Sequence, residues 1–363
     1  MRVNGVPTRT IWADSQAARV FIIDQTLLPH RYEIAMLASV ADAVRAISDM
    51  LVRGAPLIGA AAAYGVALAM ASDARDDSLD SACARLAATR PTAVNLRWAL
   101  GEMRAALAAL PVSARRDAAF DHAARIADED VARNAAIGDH GLALLRSLAE
   151  RKAGRLNILT HCNAGWLATV DWGTATAPIY KAHDSGLDLH VFVDETRPRN
   201  QGASLTAWEL AQHGVPHTLI VDNAGGHLMQ RGGVDVVIVG ADRVTANGDV
   251  CNKIGTYLKA LAAHDNGIPF YAAVPSPTMD FTLASGKDIP IEERGAREVT
   301  HLSGETEDGR IETILIAPTA TPAANPAFDV TPARLVTGLI TERGVIAAET
   351  SALAAVFPDL ARG

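Results

Sequence analysis

The sequence of 363 residues has few cysteines and few aromatic residues, and only one long stretch of it is weakly polar. Its three cysteines, Cys83, Cys162 and Cys251, form an odd set without paired spacing. The sequence therefore predicts neither a disulfide framework nor a zinc cluster. The N-terminus lacks the apolar segment that a secretory signal requires. We accordingly expect the reducing environment of the cytoplasm.

The most apolar stretch covers residues 56–71 and consists mainly of Ala and Gly. It is shorter than the roughly 20 residues that a helix needs to cross a bilayer. We therefore predict a helix buried inside the protein and no association with a membrane.

Positive charge is also in short supply, since 33 Lys and Arg face 41 Asp and Glu, giving a formal net charge of −8. Such a surface repels the phosphate backbone of nucleic acids, so no nucleic-acid partner is expected. Any anionic ligand must be held by local groups. The composition, 49% hydrophobic and 20% charged, is typical of a globular protein.

Several common site motifs are missing. No G-x-G-x-x-G follows a predicted strand and no G-x-x-x-x-G-K-[ST] occurs, so neither type of nucleotide-phosphate loop is predicted. The histidines lack H-E-x-x-H or similar ligand spacing, and no metal site is predicted.

The first part of the chain contains few predicted strands and many predicted helices. Short strands are predicted at 18–24 and 33–36, and helices at 40–50, 56–71 and 95–110. Apolar residues at helical intervals predict a linking helix over 117–150. We predict a smaller, mostly helical α+β domain over residues 1–125, carrying a substrate-binding loop, and a second domain over 126–363.

From residue 155 onward, short apolar runs alternate with segments of helical length, which is typical of repeated βα units and a parallel sheet. The predicted fold class is therefore α/β. The buried strands are predicted at 156–159, 189–193, 217–221, 234–239 and 269–274.

Polar segments follow the first four of these strands, at 161–165, 194–202, 222–223 and 240–243. In open α/β sheets, ligands bind beyond the carboxyl ends of the strands. We therefore expect these loops to converge on one crevice.

Two residues in these loops are candidates for catalysis. Cys162 follows a predicted strand, where a helix N-terminus would lower its thiol pKa, although for a lone cysteine the position by itself favours an inert buried thiol. Asp242 has apolar strand behind it, and burial raises a carboxyl pKa and suits a general acid; a helix-capping role or a pairing with Arg243 is the alternative. For Cys83 and Cys251 the sequence suggests only a structural role.

Candidate phosphate-binding residues occur at two predicted helix starts. Asn252 and Lys253 are expected to open a helix, with backbone N–H groups and a cation at its positive end; an ordinary helix cap is the alternative. Arg53 and Gly54 precede Pro56, which suits a first helical turn, and glycine permits a close backbone approach.

Two further candidates lie next to turns. Arg90 precedes Pro91, which places Arg90 on a turn. Gln201 lies just before a helix predicted from Ser204, where its amide either reaches the same pocket or stays on the surface.

Seven segments, which together extend over nearly the whole chain, resemble the methylthioribose-1-phosphate isomerase family in order and spacing. They are RGAPLIGAAAAYG (53–65), RPTAVNLRWA (90–99), THCNAGWLAT (160–169), DETRPRNQGASLTAWEL (194–210), GADRVTANGDVCNKIGTY (240–257), PFYAAVPSPTMDF (269–281) and NPAFDVTPARLVTGLITERGVI (325–346).

The resemblance implies an aldose–ketose isomerase of methionine salvage, which converts 5-methylthioribose 1-phosphate to 5-methylthioribulose 1-phosphate. It implies that Cys162 is the catalytic thiol and Asp242 the catalytic acid. It also implies a Rossmann-like catalytic second domain, a homodimer, and no metal or organic cofactor. The sugar phosphate is expected to be bound by Arg53, Gly54, Ala55, Arg90, Gln201, Asn252 and Lys253.

The sequence departs from the family pattern near Gln201, because Ser204 stands where many members have arginine. Trp166 and Trp172 are also bulkier than expected beside Cys162. These departures leave 5-deoxyribose 1-phosphate and ribose 1,5-bisphosphate as alternative substrates. The fold family also includes non-catalytic regulatory subunits of the eukaryotic initiation-factor exchange complex, but the presence of both Cys162 and Asp242 favours an enzyme.

Overall fold

A computed structural model of the chain describes residues 1–90 and 93–361. Pro91, which was expected to set the turn at Arg90, lies outside the described residues. The strands are β1 (Arg2–Val3), β2 (Val6–Pro7), β3 (Ile11–Asp14), β4 (Arg19–Ile23), β5 (Ile34–Leu37), β6 (Leu156–Thr160), β7 (Leu189–Asp194), β8 (His217–Ile220), β9 (Val236–Val239), β10 (Arg243–Thr245), β11 (Val250–Lys253), β12 (Phe270–Ala273), β13 (Met279–Asp280), β14 (His301–Glu305), β15 (Ile311–Leu315), β16 (Phe328–Thr331), β17 (Gly338–Thr341) and β18 (Gly344–Ile346).

The α-helices occupy much of the first half of the chain and flank the strands of the second half. They are α1 (Val40–Ser48), α2 (Ala55–Ser72), α3 (Asp76–Ala87), α4 (Val94–Leu107), α5 (Val112–Glu150), α6 (Thr176–Asp184), α7 (Ala207–His213), α8 (Ala224–Gln230), α9 (Thr256–Asp265), α10 (Arg297–Thr300) and α11 (Thr350–Val356).

Helix α2 forms the centre of the N-terminal region. By length and composition alone it could cross a membrane, but 83% of this stretch is buried inside the fold. Because α2 is apolar on every side, it is covered on every side, by α1, α3, α4 and the first part of α5. The predicted buried helix is confirmed.

Helix α5 is the predicted linking helix, and it is 39 residues long. Its apolar residues from Ala119 to Val131 pack into the N-terminal core. Ile137 and Leu145, further along the same helix, pack into the core beside the large sheet. One continuous helix therefore joins the two cores and passes through position 125, and the division into domains 1–125 and 126–363 stays a prediction.

The large sheet has the strand order β18-β17-β12-β9-β6-β7-β8 and is parallel apart from the β17–β18 hairpin. The five predicted strands are its β6, β7, β8, β9 and β12, so the predicted α/β class is confirmed. From β6 the chain builds outward through β7 to β8 and then returns to place β9 on the other side of β6. This reversal of direction between β6 and β9 is the point where open α/β sheets bind ligands.

The prediction that a helix begins at Asn252 is wrong. Asn252 and Lys253 end strand β11, which pairs with β16. Gly255, with φ of 102°, turns the chain, and α9 begins at Thr256. The Asp329 carboxylate already accepts hydrogen bonds at that helix start, including the Gly255 N–H at 2.7 Å. The helix-dipole argument therefore does not apply to Asn252 and Lys253.

Candidate active site

The Cys162 backbone lies in an unusual conformation just beyond β6. Its φ of 69° is in the left-handed region, which non-glycine residues seldom adopt. The Cys162 N–H donates to the Thr196 hydroxyl at 2.8 Å, and the Cys162 carbonyl accepts from the Thr206 hydroxyl at 2.7 Å. Hydrogen bonds from the segment between β7 and α7 thus fix the peptide groups on both sides of the thiol.

The Cys162 thiol does not lie at a helix N-terminus. The segment after β6 is irregular as far as the short 3₁₀ turn Trp166–Ala168. Burial raises the thiol pKa, with the charges of Arg53 and Lys253 opposing this rise and that of Asp242 adding to it. The expected lowering of the thiol pKa by a helix is therefore wrong, and burial favours the neutral thiol.

Asp242 lies between β9 and β10, across the sheet reversal from Cys162. Burial raises the pKa of its carboxyl, although Lys253, Arg53 and Arg90 lower it. The direction of the shift is the one that the sequence predicts. A buried carboxyl with a raised pKa is suited to donating a proton.

Arg53 lies in the loop that leads into α2. Its guanidinium donates to the Asn163 side-chain oxygen at 2.6 Å and to the Asn163 carbonyl at 2.7 Å. Gly54 has φ of 88°, and a Cβ at this position would lie 2.5 Å from Ala168. Only glycine fits there, and Pro56 occupies the first turn of α2 as predicted.

Lys253 places a buried cation beside the candidate pair. Its ammonium donates to the Ala327 carbonyl at 2.9 Å and lies 4.7 Å from the Phe328 ring centroid. Burial lowers the Lys253 pKa, while Cys162 and Asp242 raise it. The neighbouring Asn252 turns its amide toward the Thr256 hydroxyl, at 3.0 Å.

Two cavities adjoin these groups. The larger, ≈ 450 Å³, is lined by Arg53, Gln201 and Ser204, among others, and its size suits a small metabolite. The smaller, ≈ 30 Å³, is lined by Ala55, Arg90 and Asp242, among others. Arg53 and Gln201 therefore lie at one cavity, and Ala55, Arg90 and Asp242 lie at the other.

Four buried polar atoms of residues that line these cavities lack a partner within the described part of the chain. They are the Gln25 Oε1, the Arg90 Nε, the Asn200 Oδ1 and the Gln201 Oε1. Another nitrogen of Arg90 pairs with Glu292 at 3.3 Å. Since buried polar groups are nearly always hydrogen-bonded, one donor and three acceptors are left for a ligand to satisfy.

One cluster has the residue types of a metal site. Ligand atoms of His161, Asp194 and Asp222 lie within 4.8 Å of one another. The Lys259 ammonium, however, lies 3.2 Å from the Asp194 carboxylate, and His161 contacts the same oxygen at 2.8 Å. Because Lys259 already supplies the cation, the geometry fits an ion-pair network better than a metal site.

Several residues of the site were missed from the sequence. Asn163, Thr196 and Thr206 act on the Cys162 loop through side-chain hydrogen bonds that cross between loops. Glu209 is buried on α7, accepts the Leu167 N–H at 3.2 Å, and has a pKa raised by burial to about 7. All four lie within the quoted segments, but nothing in those segments singled them out, and a Glu on a helix is usually exposed.

A doubly wound sheet with a buried thiol and a buried carboxyl at its reversal point defines the class of the chain as an α/β enzyme. Its similarity to known proteins agrees with this class. The Initiation factor 2 subunit family matches residues 51–348. Curated methylthioribose-1-phosphate isomerases from Rhodospirillum rubrum and Acidiphilium cryptum are 63% and 65% identical to this chain. The alignments cover 99% of this chain in both cases, and 94% and 99% of those relatives.

Solved structures give the same result. The 5-methylthioribose 1-phosphate isomerase from Pyrococcus horikoshii OT3 has a TM-score of 0.84 and 42% identity, with 97% of this chain and 96% of that one covered. The eIF-2B subunit delta from A. fulgidus has a TM-score of 0.79 and 41% identity, with 96% and 99% covered. The chain belongs to the Initiation factor 2 subunit family and, within it, to the methylthioribose-1-phosphate isomerases. The resemblance stated from the sequence is confirmed.

Proposed function

We propose that this chain converts 5-methylthioribose 1-phosphate to 5-methylthioribulose 1-phosphate, as an aldose–ketose isomerase of methionine salvage. The observation that carries the proposal is the placement of Cys162 and Asp242 on the two sides of the sheet reversal, in one buried and electrostatically coupled site. The names and full-length similarity of the curated relatives support the same substrate.

The positive charges of the site support binding of a sugar phosphate. Arg53, Arg90 and Lys253 all act electrostatically on Asp242, although the whole chain carries a formal charge of −8. Burial strengthens the attraction of such groups for a phosphate dianion. We propose that these cations, with Gly54, Ala55, Gln201 and Asn252, form the binding site.

The first chemical step is opening of the sugar ring. The anomeric carbon carries phosphate, so there is no free aldehyde to make the C2 hydrogen acidic. Asp242, kept protonated by burial, donates its proton to the ring oxygen as the bond between that oxygen and C1 breaks. The electron pair of that bond stays on the ring oxygen, and positive charge develops at C1.

The second step moves hydrogen from C2 to C1, and two routes are open. In a hydride shift, hydrogen moves with its electron pair to C1, and the C2 hydroxyl becomes the ketone as its proton passes to the Asp242 carboxylate left by the first step. In the other route, a Cys162 thiolate removes the C2 proton and a cis-enediol forms; the Cys162 thiol then returns a proton to C1 as the C2 hydroxyl gives its proton to Asp242. The raised thiol pKa disfavours a thiolate base and so favours the hydride shift, with Cys162 stabilising the transition state.

Two assays test this proposal. We expect 5-methylthioribose 1-phosphate to be turned over with a higher kcat/KM than 5-deoxyribose 1-phosphate or ribose 1,5-bisphosphate. The absence of turnover of all three by folded protein would favour the non-catalytic, regulatory alternative. In deuterated water, a product without deuterium at C1 supports the hydride shift, and deuterium at C1 supports the enediol.

We further propose that the protein is a homodimer in the cytoplasm. Ile314, Leu315 and Ile316 are exposed side by side at the end of the β14–β15 hairpin and support self-association, since contiguous exposed apolar groups mark contact surfaces. The free cysteines support a reducing compartment. Sedimentation equilibrium of the purified protein tests the dimer, and a monomer at all concentrations would contradict it.

A further inference from the structure

Two residues of the candidate site that share a hydrogen bond both have left-handed backbones. Cys162 has φ of 69° and Thr196 has φ of 66°. For a β-branched residue such as threonine this conformation is a true outlier. Such conformations persist only where the surroundings hold them, and they concentrate at functional sites.

The side chain of Thr196 connects the Cys162 peptide to the neighbouring strand end. Its hydroxyl accepts the Cys162 N–H at 2.8 Å and donates to the Asp194 carbonyl at 3.0 Å. A single hydroxyl group therefore couples the loop after β6 to the end of β7.

The Thr196 backbone is itself held in place by the loop after β8. One oxygen of the Asp222 carboxylate accepts the Thr196 N–H at 2.8 Å, and the other accepts the Arg197 N–H at 2.8 Å. Hydrogen bonds to a charged acceptor are stronger than those between neutral groups. The chain of contacts thus runs from the Asp222 carboxylate through Thr196 to the Cys162 amide.

We propose that Thr196, held by Asp222, is a positioning residue that keeps the Cys162 thiol in its reactive orientation. This inference rests on the proposed function, because it assigns Cys162 a role in turnover. Without the Thr196 hydroxyl, the buried Cys162 N–H has lost its partner, and the peptide turns and carries the sulfur with it. A displacement of about 1 Å at a reacting group is enough to slow catalysis strongly.

The test is the Thr196→Val variant, which keeps the shape and β-branching of threonine and removes only the hydroxyl. We expect kcat to fall by about tenfold or more while KM stays within about threefold. The rate at which iodoacetamide alkylates Cys162, followed by mass spectrometry, should change by at least about threefold. Thr196→Ser retains the hydroxyl and should restore both values.

The chain contains a closely matched control. Thr341 is buried, and its hydroxyl donates to the Gly344 carbonyl at 2.8 Å and accepts the Arg343 N–H at 3.1 Å. Thr341→Val therefore removes the same pattern of hydrogen bonds from β17. We expect a lowered Tm with unchanged kcat and unchanged alkylation of Cys162.

Unchanged kcat and alkylation in Thr196→Val would overturn the inference, as would an equal loss of kcat in Thr341→Val. If Thr196→Val does not fold, Asp222→Asn replaces it, since it removes one of two acceptors from a partly exposed side chain. That variant should lose kcat by about threefold, and wild-type kcat would again overturn the inference.

The alkylation measurement separates this inference from the proposed function. If the wild-type protein does not isomerise the sugar phosphate, the proposed function fails. A Cys162 alkylation rate that changes in Thr196→Val but not in Thr341→Val then still supports positioning of the thiol. Unaltered alkylation in both variants overturns the positioning as well.

Discussion

The guanidinium of Arg53 donates hydrogen bonds to both oxygens of Asn163, to the side-chain oxygen at 2.6 Å and to the backbone carbonyl at 2.7 Å. Arg53 comes from the loop before α2, whereas Asn163 directly follows Cys162. The pair therefore ties the N-terminal region to the loop that carries the thiol. It also holds a positive charge close enough to lower the pKa values of Cys162 and Asp242, which burial raises.

Replacing Arg53 by lysine separates the effect of the positive charge from the effect of the two hydrogen bonds. Arg53→Lys keeps the cation but cannot donate two hydrogen bonds in a planar fork. We expect kcat/KM to fall by about ten- to hundredfold, as measured by steady-state kinetics. Arg9→Lys is the control, because Arg9 pairs with Asp128 at 2.7 Å on the surface. Equal kinetics for wild type and Arg53→Lys would contradict the need for the fork.

The catalytic assignment predicts that Cys162→Ser and Asp242→Asn each lose most of kcat while still folding. A general acid contributes about 10²- to 10⁴-fold to rate, and we expect losses of about that size. Cys83→Ser is the control, since Cys83 is buried on α3 and should keep kcat within about threefold. Circular dichroism establishes folding. Near-wild-type turnover in either site variant would refute that residue's role.

Much of the fold was predictable, because hydrophobic pattern is a local property of the sequence. The apolar runs predicted β6, β7, β8, β9 and β12, and the Ala-rich stretch predicted α2. The start of α9 was missed because Asn252 and Lys253 resemble a helix opening in local sequence. Their place in β11 is decided by pairing with β16, more than seventy positions away along the chain.

The candidate site was only partly predictable. The positions of Cys162 and Asp242 at strand ends predicted that the two residues lie near each other, and the charge of Asp242 does act on the Cys162 thiol. The pKa of Cys162 was predicted in the wrong direction, because burial outweighs the local cations and depends on the whole fold. The contacts of Thr196 and Asn163 join loops that are distant in sequence, and no spacing rule identifies them.

The raised pKa of Glu209 predicts that the stability of the protein depends on pH. Burial raises its pKa from 4.5 to about 7, so the unfolded chain releases this proton at a lower pH than the folded protein does. The contribution to stability is complete below about pH 4.5 and is lost as pH rises to about 7, a change on the order of 3 kcal/mol. Urea unfolding over this pH range measures it.

Glu209→Gln is the matched variant, because it keeps the size of the side chain and removes its titration. The free energy of unfolding of the wild type should fall relative to that of Glu209→Gln between about pH 4.5 and pH 7. Asp130, whose pKa burial raises to about 6, titrates in both proteins and cancels in the difference. If the free energies of unfolding of the two proteins changed in parallel with pH, Glu209 would not be held protonated by burial.

Gly54 predicts a backbone requirement at the start of α2. Its φ of 88° disfavours any side chain, and an added Cβ would lie 2.5 Å from the Ala168 backbone. Gly54→Ala should lower the free energy of unfolding by at least about 1–3 kcal/mol and displace Arg53 from Asn163, so kcat/KM should fall as well. Gly101→Ala is the control, since Gly101 lies within α4 with open space around its Cβ position. That change should stabilise the protein by about 0.5–1 kcal/mol. If Gly54→Ala proved as stable and as active as Gly101→Ala, the close approach of this loop to Ala168 would have no part in building the site.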